Sequence, residues 1–351
     1  MARNGGMGTT EPDDPRAAEA HAWAAQQLGT AGLALAPAAA DASSRRYFRV
    51  ATPAGRSWVL MDAPGQQLAV AAFLRVAALL GEAGVHAPQV VAAAPERGLV
   101  LLADLGRQTY LAALRGGADP APLLDAAVEA LVRWQAATRP GELPSYGRET
   151  LAAELRLFTD WYLPCCCGIS AQRARRRLDP YLEALLDRIA EQPQVFVHRD
   201  YMPRNLMVCR PLPGVLDFQD AALGPVAYDP VCLLRDAFIS WPRAREVATL
   251  ARYHARALEA GVPVPAAFGA FWSDCQWVGV QRHLKVLGIF ARLCYRDGKP
   301  GYLADAPRFF GYLRAAAEEE PRLAPLVREA LALAGEAGAD PALGEGRPCG
   351  R

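Results

Sequence analysis

The chain has 351 residues, 52% of them hydrophobic and 21% charged, and its formal net charge at pH 7 is +1. This composition is typical of a folded globular protein, and it argues against attraction to nucleic acid or to a membrane through bulk charge. The eight cysteines form no Cys-x-x-Cys pair and no Cys/His ligand spacing, so we expect no zinc site and interpret the thiols as reduced, in a cytoplasmic protein.

The first hundred residues predict a small unit rich in strands. Residues 1–15 are rich in Gly, Thr and Pro and are expected to be disordered. Three strands and two helices follow in the pattern: a helix over 16–28, strands over 47–51 and 57–62, a helix over 68–83 and a strand over 98–102. Gly84 ends the second helix, and the Asp-Leu-Gly that starts at Asp104 breaks the strand pattern.

From residue 110 onward the pattern is mainly helical. Helices are predicted over 122–137, 149–163, 173–191, 231–240, 243–260, 267–296 and 307–318. Short strands are predicted over 195–197, 206–209 and 215–216, and a flexible tail over 337–351. The sequence therefore predicts an α+β fold of two lobes, a small strand-rich lobe over 16–103 and a larger helical lobe over 104–336. A ligand cleft is expected near residues 103–107, where the lobes join.

The stretch 195–220, VFVHRDYMPRNLMVCRPLPGVLDFQD, holds the pattern that carries the chemistry. A His-Arg-Asp tripeptide ending at Asp200 is followed by Asn205 and then by an Asp-Phe pair at Asp217, the order and spacing of the catalytic residues of kinases. Phosphoryl transfer needs one carboxylate to accept a hydroxyl proton and hard oxygen ligands to hold Mg²⁺ on the phosphates. We therefore expect Asp200 to be the catalytic base and Asn205 and Asp217 to bind magnesium, with ATP as phosphoryl donor.

Three other polar residues have separate interpretations, two of them in this stretch and one at position 104. His198 is interpreted as structural, with its ring bonding the backbone of the loop. Asp220 fits a second metal contact and a simple turn residue equally well. Asp104 also precedes a Leu-Gly, but because it comes before the His-Arg-Asp loop it is interpreted as the lobe junction and not as the metal ligand.

With these motifs the chain resembles the aminoglycoside phosphotransferase-like kinases, which share the two-lobed fold of protein kinases. The likeness covers roughly residues 18–330. In that family the first aspartate is the base, and the asparagine and second aspartate bind magnesium, so the resemblance implies the same roles for Asp200, Asn205 and Asp217. Asp229 matches a family aspartate that bonds the backbone of the catalytic loop, which implies a structural role.

More narrowly, several stretches are similar to bacterial kinases of cell-wall recycling that act on N-acetylmuramate and N-acetylglucosamine. They are SSRRYFRV (43–50), VLMDAP (59–64), DLGRQTYL (104–111), HRDYMPRNLMV (198–208), GVLDFQDAALGPVAYDPVCLLRDAFISWP (214–242) and QRHLKVLGIFARLCYRDGKPGYL (281–303). This likeness implies ATP-dependent phosphorylation of the anomeric C1 hydroxyl to the α-1-phosphate, in peptidoglycan recycling. It implies a small amino sugar as partner, with no nucleic acid and no membrane, and we expect a monomer or a weak homo-oligomer. An aminoglycoside or choline-like acceptor is the alternative within the same family.

The predicted strand 57–62 lacks the lysine with which kinases of this fold contact the ATP phosphates. Met61 occupies its place, and the following helix has no glutamate over 68–81 to partner a lysine. Because one half of a buried ion pair would leave an unpaired charge, the joint loss of both halves is physically coherent. Two hypotheses follow, a pseudokinase that binds without transferring and an active enzyme with a relocated cation, and we favour the second.

The candidates for that cation are three arginines before and within the predicted strand 47–51, namely Arg45, Arg46 and Arg49. Arginine can clamp a phosphate with two hydrogen bonds, and the alternative is that these side chains form a solvated strand face. For adenine we expect apolar walls from Val59, Met61 and Leu206, and backbone bonds near Asp104 and Leu105.

Substrate contacts are predicted from the chemistry of sugars, which suit flat aromatic faces and forked donors. The candidates are Gln219, Trp241, Gln276, Trp277, Arg282, His283 and Arg292, and the alternative for the aromatic members is ordinary core packing. The stretch 275–299 carries five basic residues against one acidic residue. This bias argues against a polycationic aminoglycoside as the substrate.

Overall fold

The computed structural model describes residues 14–39 and 45–335. The predicted tail over 337–351 lies outside these residues, as does most of the predicted disordered N-terminus. The exception is residues 14 and 15, because Asp14 accepts a hydrogen bond from the backbone N–H of Arg16 at 2.9 Å and caps helix α1 (Pro15–Leu28). The first helix therefore begins inside the segment expected to be disordered.

Contacts divide the chain into two compact units. The first unit contains the residues up to Thr109 together with Met207–Asp220, and the second contains Tyr110–Leu206 and the residues from Ala221 onward. The segment Met207–Asp220 thus groups with the strand-rich part of the chain, whereas the predicted lobe limits of 16–103 and 104–336 assign it to the helical part.

The first unit is built on a five-stranded antiparallel sheet in the order β1-β2-β3-β5-β4. Its elements are β1 (Ala34–Ala39), β2 (Arg46–Ala51), β3 (Ser57–Asp62), α2 (Gln67–Glu82), β4 (Val90–Ala94) and β5 (Leu99–Ala103). Strands β2, β3 and β5 and both helices confirm predicted elements, but β1 and β4 were missed. Both are alanine-rich edge strands, and β1 contains Pro37, so their strand signal is weak.

One face of this sheet packs on helix α1. Trp23 of α1 and Leu60 of β3 belong to the buried cluster between them. Because side chains alternate along a strand, Val59 and Met61 of β3 point to the opposite face. Arg49 of β2 lies directly opposite Val59 in the sheet register and shares that face.

The segment Met207–Asp220 forms a short hairpin. Its strands are β7 (Leu206–Met207) and β8 (Gly214–Val215). The backbone N–H of Val215 donates to the carbonyl of His86 at 2.7 Å, and the Phe218 ring lies 4.7 Å from that of Phe73 in α2. These contacts attach the hairpin, and the Asp-Phe pair that follows it, to the first unit.

The second unit is helical apart from a pair of antiparallel strands. The strands are β6 (Gln194–Val197) and β9 (Ala222–Pro225). The helices are α3 (Tyr110–Arg115), α4 (Pro120–Ala136), α5 (Arg148–Leu157), α6 (Ala171–Ala190), α7 (Tyr228–Leu234), α8 (Arg243–Glu259), α9 (Phe268–Tyr295), α10 (Ala306–Glu319) and α11 (Ala324–Gly335). In the described part of the chain, no helix has the length and apolar character needed to cross a membrane.

Two predicted helices have the wrong limits, and α3 and α11 were not predicted. The helix predicted over 149–163 is an α-helix only as far as Leu157 and continues as a π-helix over Phe158–Cys166, which contains Pro164. Proline has no N–H to donate, which interrupts the regular α-helical bonding there. The helix predicted over 231–240 ends at Leu234, because Arg235 leaves the helical conformation with φ −114° and ψ 61°.

Candidate active site

The His-Arg-Asp loop begins where strand β6 ends, and it is held by the first turn of helix α7. Asp229 of that turn is fully buried. Its carboxylate accepts the backbone N–H of His198 at 2.6 Å and that of Arg199 at 2.9 Å, one on each oxygen. Two adjacent peptide groups are therefore fixed by one carboxylate, directly before Asp200.

Burial raises the pKa of Asp229 to about 6, against the opposing effects of His198 and of the two backbone hydrogen bonds. The ionised carboxylate is the form that accepts both N–H groups without competition from its own proton. Ionisation of Asp229, and with it the strength of the clamp, therefore increases as pH rises through about 6.

Asp200 and Asn205 are linked within the loop. The Asn205 side-chain nitrogen donates to the Asp200 carbonyl at 2.9 Å, and the Asn205 backbone N–H donates to the carbonyl of Met202 at 2.8 Å. The backbone N–H of Asp200 points at Nδ1 of the buried His198 ring at 3.3 Å. The Asn205 amide thus bonds the loop through its nitrogen, the half of the group that cannot ligate a cation.

Arg199 has a left-handed backbone conformation with φ 74°. This region costs about 1–2 kcal/mol for a residue other than glycine. The Arg199 side chain donates to Glu154 at 3.0 Å and its guanidinium lies 4.5 Å from the centre of the Tyr146 ring. Its carbonyl accepts a hydrogen bond from the Cys232 thiol at 3.2 Å. Contacts at both ends of the residue therefore maintain the strained conformation.

Asp217 belongs to the first unit and is exposed. Its backbone is also left-handed, with φ 61°, a region that aspartate tolerates better than most residues. The Gln219 side chain donates to Asp217 at 2.9 Å and to Asp220 at 3.4 Å. Gln219, a predicted substrate contact, thus bonds two carboxylates, and its role towards substrate stays a prediction.

The chemistry of the two predicted metal ligands fits magnesium. The amide oxygen of Asn205 and the carboxylate of Asp217 are hard donors, and Mg²⁺ in phosphoryl transfer takes one or two protein ligands and completes its shell with water and phosphate oxygens. Within residues 14–39 and 45–335, no group of three or more His, Cys, Asp or Glu side chains could hold a metal ion by itself. A preassembled cage of such ligands is therefore excluded for that part of the chain.

On the sheet face that Val59 and Met61 share, Arg49 is paired with a carboxylate. It donates to the two oxygens of Asp104 at 2.6 Å and 3.0 Å, and the Ser57 hydroxyl donates to Asp104 at 2.7 Å. Burial raises the pKa of Asp104, but the bonds from Arg49, Ser57 and a backbone N–H outweigh it and hold that pKa below its usual range. Met61 itself is only 1% exposed.

Arg46 is paired with carboxylates too. It donates to Asp62 at 3.1 Å and also bonds Asp14. Asp62 is fully buried and accepts a second arginine, Arg16, at 2.9 Å. Arg45 is half-buried directly before β2. The role of these arginines, and of Arg49, towards phosphate stays a prediction, and for Arg46 and Arg49 it would require exchange of a carboxylate partner.

The remaining predicted sugar contacts belong to the second unit, and most are interior side chains. Those that are buried are Gln276, Trp277, Arg282 and His283 of α9, while Trp241 and Arg292 are half-buried. Arg282 donates to the Cys232 sulfur at 2.9 Å and to the carbonyl of Arg235 at 3.2 Å. Burial, with the charges of Arg235 and Arg282, holds the pKa of His283 well below its usual value, so that ring is neutral. A substrate role for these residues stays a prediction.

Asp236 is a candidate functional residue that the sequence analysis missed. It follows α7, is fully buried, and accepts the backbone N–H of Ala237 at 2.5 Å. Its second carboxylate oxygen has no hydrogen-bond partner among the described residues. Burial raises its pKa to about 6, opposed chiefly by the charge of Arg282. The Arg-Asp pair inside the otherwise apolar stretch VCLLRDAF (231–238) is the sequence signal that could have drawn attention to it.

The fold and the His-Arg-Asp loop together define a kinase-like phosphotransferase. Residues 34–268, more than half of the chain, match the family described as "Phosphotransferase enzyme family", and the chain belongs to this family. It is similar to the N-acetylmuramate/N-acetylglucosamine kinase of Pseudomonas aeruginosa, at 51% identity over 83% of this chain and 86% of that protein. The kinase of the same name from Neisseria meningitidis serogroup B is 46% identical over 85% of this chain and 90% of that protein.

Two solved structures show the same fold. A choline/ethanolamine kinase family protein from Mesorhizobium loti has a TM-score of 0.58 at 14% identity, covering 90% of this chain and 99% of that one. ADP-bound aminoglycoside phosphotransferase APH(2'')-Ib has a TM-score of 0.55 at 12% identity, covering 89% and 98%. At these identities the likeness concerns the fold alone, and it confirms the predicted α+β kinase-like class. The protein is an enzyme of the phosphotransferase class, and its kinase family implies ATP as co-substrate.

Proposed function

We propose that this protein transfers the γ-phosphoryl group of ATP to the anomeric C1 hydroxyl of N-acetylmuramate and N-acetylglucosamine. The products would be the α-1-phosphates, made in the cytoplasm during peptidoglycan recycling. The observation that supports this most is the identity of 46–51% with kinases of that name, over 83–87% of the chain. The His-Arg-Asp loop and its clamp supply the matching chemistry.

In this proposal Asp200 is the catalytic base. Its carboxylate takes the proton of the C1 hydroxyl while the hydroxyl oxygen bonds to the γ-phosphorus. The bond between that phosphorus and the β–γ bridging oxygen breaks, and its electron pair leaves with ADP. The Asp229 clamp before Asp200 and the Asn205 bond to its carbonyl hold the base in one orientation, which is the main contribution a protein makes to this reaction.

We assign Asn205 and Asp217 as the ligands of magnesium, which when bound neutralises charge on the phosphates. The left-handed backbone of Asp217 is the kind of strained conformation that is retained at functional sites. Gln219 donates to an oxygen of that carboxylate and so restrains its orientation. Asp220, bonded to the same Gln219, is consistent with either a second metal contact or a turn residue.

A nucleotide-binding pseudokinase is the second candidate function. The observation that favours it is the interior Met61, together with the carboxylate partners of Arg46 and Arg49. We favour the active kinase because Asp200, Asn205 and Asp217 are all present, and a protein that only binds nucleotide needs no general base. An aminoglycoside or choline-like acceptor is the third possibility, against which the basic bias of 275–299 argues.

The test is ADP release from Mg-ATP with N-acetylmuramate, N-acetylglucosamine, kanamycin or choline as acceptor. The methyl α-glycoside of N-acetylglucosamine is the matched control acceptor, since only its C1 hydroxyl is blocked. We expect turnover with both free sugars, none with the glycoside, and an α-1-phosphate product by ³¹P NMR. Asp200→Asn should lower kcat by about 10²–10⁴-fold with little change in Mg-ATP affinity.

Other outcomes would redirect the assignment. Turnover of the methyl glycoside would move the acceptor hydroxyl away from C1. Turnover of kanamycin or choline alone would retain the kinase but replace its substrate. Binding of Mg-ATP without turnover of any acceptor would establish the pseudokinase.

A further inference from the structure

A half-buried charge cluster in the second unit contacts the catalytic loop on the side of helices α5 and α9. Its centre is Glu154 of α5, which is bonded by Arg199 at 3.0 Å and by Lys285 of α9 at 2.8 Å. Two tyrosines complete it: Tyr146 donates to Glu154, and the hydroxyl of Tyr228 lies 3.2 Å from the Lys285 ammonium and 2.9 Å from the Tyr146 hydroxyl. One carboxylate thus holds two cations, of which only Arg199 belongs to the loop.

Helices α5 and α9 approach so closely that this geometry is fixed by backbone packing. A Cβ atom added at Gly288 would lie 2.2 Å from the carbonyl carbon of Leu157 and 2.4 Å from its oxygen. Gly288 follows Lys285 by three positions, and Leu157 follows Glu154 by three. The contact therefore lies about one helical turn from the ion pair on both helices and sets the distance between the two charged side chains.

Glu154 is a charged partner of the Arg199 side chain, and the Tyr146 ring packs against the same guanidinium. Among the described residues other than glycine, only Arg199 and Asp217 have positive φ angles. Arginine has no intrinsic preference for this region, so the conformation depends on what holds the residue. The Asp229 clamp acts on its N–H and the Cys232 thiol on its carbonyl, but neither contacts the side chain.

We propose that Glu154 is a positioning residue for phosphoryl transfer, acting through its ion pair with Arg199 to hold the peptide that carries Asp200. The ion pair completes a restraint on three parts of Arg199, so that the base next to it has one orientation relative to the acceptor hydroxyl. The proposal rests on the assignment of Asp200 as base. In this proposal helices α5 and α9, which carry Glu154 and Lys285, help to orient the catalytic loop.

The cluster also explains why Lys285 is present. Burial raises the pKa of Glu154, but the charge and hydrogen bond of Lys285, the Tyr146 hydroxyl and the Arg199 charge together outweigh that effect and hold the pKa below its usual range. With Lys285 in place, Glu154 remains an acceptor for Arg199 at neutral pH.

The test compares Glu154→Gln, Arg199→Gly and the double variant with the wild type. Glycine fits the left-handed backbone at 199, so that variant removes the side chain while relieving the strain. We expect each single change to lower kcat by about 10–100-fold with KM values for ATP and sugar within about 3-fold of wild type, since positioning acts on the transition state. The kcat of the double variant should lie within about 3-fold of the kcat of the slower single variant, because both changes remove the same interaction.

A fourth variant keeps the proposal testable if a single substitution prevents folding. Glu154→Gln combined with Lys285→Met removes one charge of each sign from the cluster, so it keeps the formal net charge while losing the Arg199 partner. Glu129→Gln, in an exposed ion pair with Arg133 on α4, is the matched control and should behave as wild type. Hydrogen exchange of the 198–205 backbone, measured without substrates, should be faster in each cluster variant than in wild type and control.

The proposal is overturned if Glu154→Gln keeps kcat within about 3-fold of wild type, or if the losses in the double variant multiply. Equal protection of 198–205 in all variants would also overturn it. Failure of the proposed function is separate, since it shows as absence of sugar turnover in the wild type, whereas the exchange measurement needs neither ATP nor sugar.

Discussion

Arg49 donates two hydrogen bonds to Asp104, at 2.6 Å from Nε and at 3.0 Å from Nη2, and so joins strand β2 to the residue that follows strand β5. The two side chains are 12% and 6% exposed, so this is a mostly buried ion pair. The Ser57 hydroxyl and the Gly106 N–H also donate to Asp104. The Arg49 guanidinium therefore has a structural role, and binding to Asp104 competes with its predicted binding to phosphate.

Arg49→Ala should therefore destabilise the protein more than it affects nucleotide binding. It leaves the Asp104 carboxylate without its charged partner, and we expect the free energy of unfolding to fall by about 3 kcal/mol. Arg49→Ala with Asp104→Asn should recover part of that loss, because the unpaired charge is gone. Urea unfolding measures both values. A stable Arg49→Ala variant whose KM for ATP rises tenfold or more would show instead that Arg49 is the relocated cation.

Met61→Lys tests whether the missing lysine can simply be restored. Met61 is 1% exposed, and its neighbours in the sheet register, Tyr47 and Val100, offer no carboxylate. An ammonium placed there would be buried without a partner, so we expect a loss of several kcal/mol of stability and no gain in kcat. Met61→Leu, which nearly conserves volume, should cost less than about 1.5 kcal/mol. A folded Met61→Lys enzyme with higher kcat or lower KM for ATP would contradict this.

Asp236→Asn should stabilise the protein at neutral pH. The pKa of Asp236 is raised by burial to about 6 in the folded state, from an ordinary value of 3.8. Between these values the folded state binds more protons than the unfolded state, so the contribution of this group to stability is lost as pH rises through 6. The shift of about two units corresponds to about 3 kcal/mol at pH 7.5 and to little at pH 4.

The measurement is the difference in unfolding free energy between Asp236→Asn and wild type, taken by denaturant titration from pH 4 to pH 7.5. The difference should grow with pH in favour of the variant and level off above pH 7. The pKa of Asp229 is also about 6, but Asp229 is present in both proteins, so its contribution cancels in the difference. A difference that is constant with pH would show that Asp236 titrates near its ordinary value. If the variant is more stable but slower, Asp236 is retained for function.

The sequence predicted the parts of this molecule whose signals are local. The helix α9, expected over 267–296 and observed as Phe268–Tyr295, has a long apolar pattern that needs no tertiary contact to be recognised. The order and spacing of Asp200, Asn205 and Asp217 also lie within one short stretch, but their catalytic and metal-binding roles stay a prediction. Edge strand β1 was missed because its alanines and Pro37 gain their strand geometry only by pairing with β2.

Other features depend on residues far apart in the chain, which no local pattern reveals. Glu154 and Lys285 are 131 positions apart and meet only because two helices pack closely. The pairing of Arg49 with Asp104 also depends on distant residues. Arg46 and Arg49 lie in the same strand, β2, and the sequence alone does not show which acid each of them bonds. Local composition predicts which residue types can do chemistry, and tertiary packing decides which of them are already bonded.

Gly288→Ala should be among the most damaging single-methyl additions in the described part of the chain. The added carbon would lie 2.2 Å from the Leu157 carbonyl carbon, a backbone atom that cannot move without displacing helix α5. We expect a loss of about 3 kcal/mol or more in unfolding free energy, since overpacking here displaces one helix against the other.

Gly311→Ala is the matched control, because that glycine lies inside helix α10 with nothing within 4 Å of the new carbon. Alanine there should stabilise the protein by about 0.5–1 kcal/mol. Thermal and urea unfolding of the two variants give the comparison. Equal stability of Gly288→Ala and wild type would mean that α5 and α9 are free to separate, and then their spacing could not hold Glu154 against Lys285.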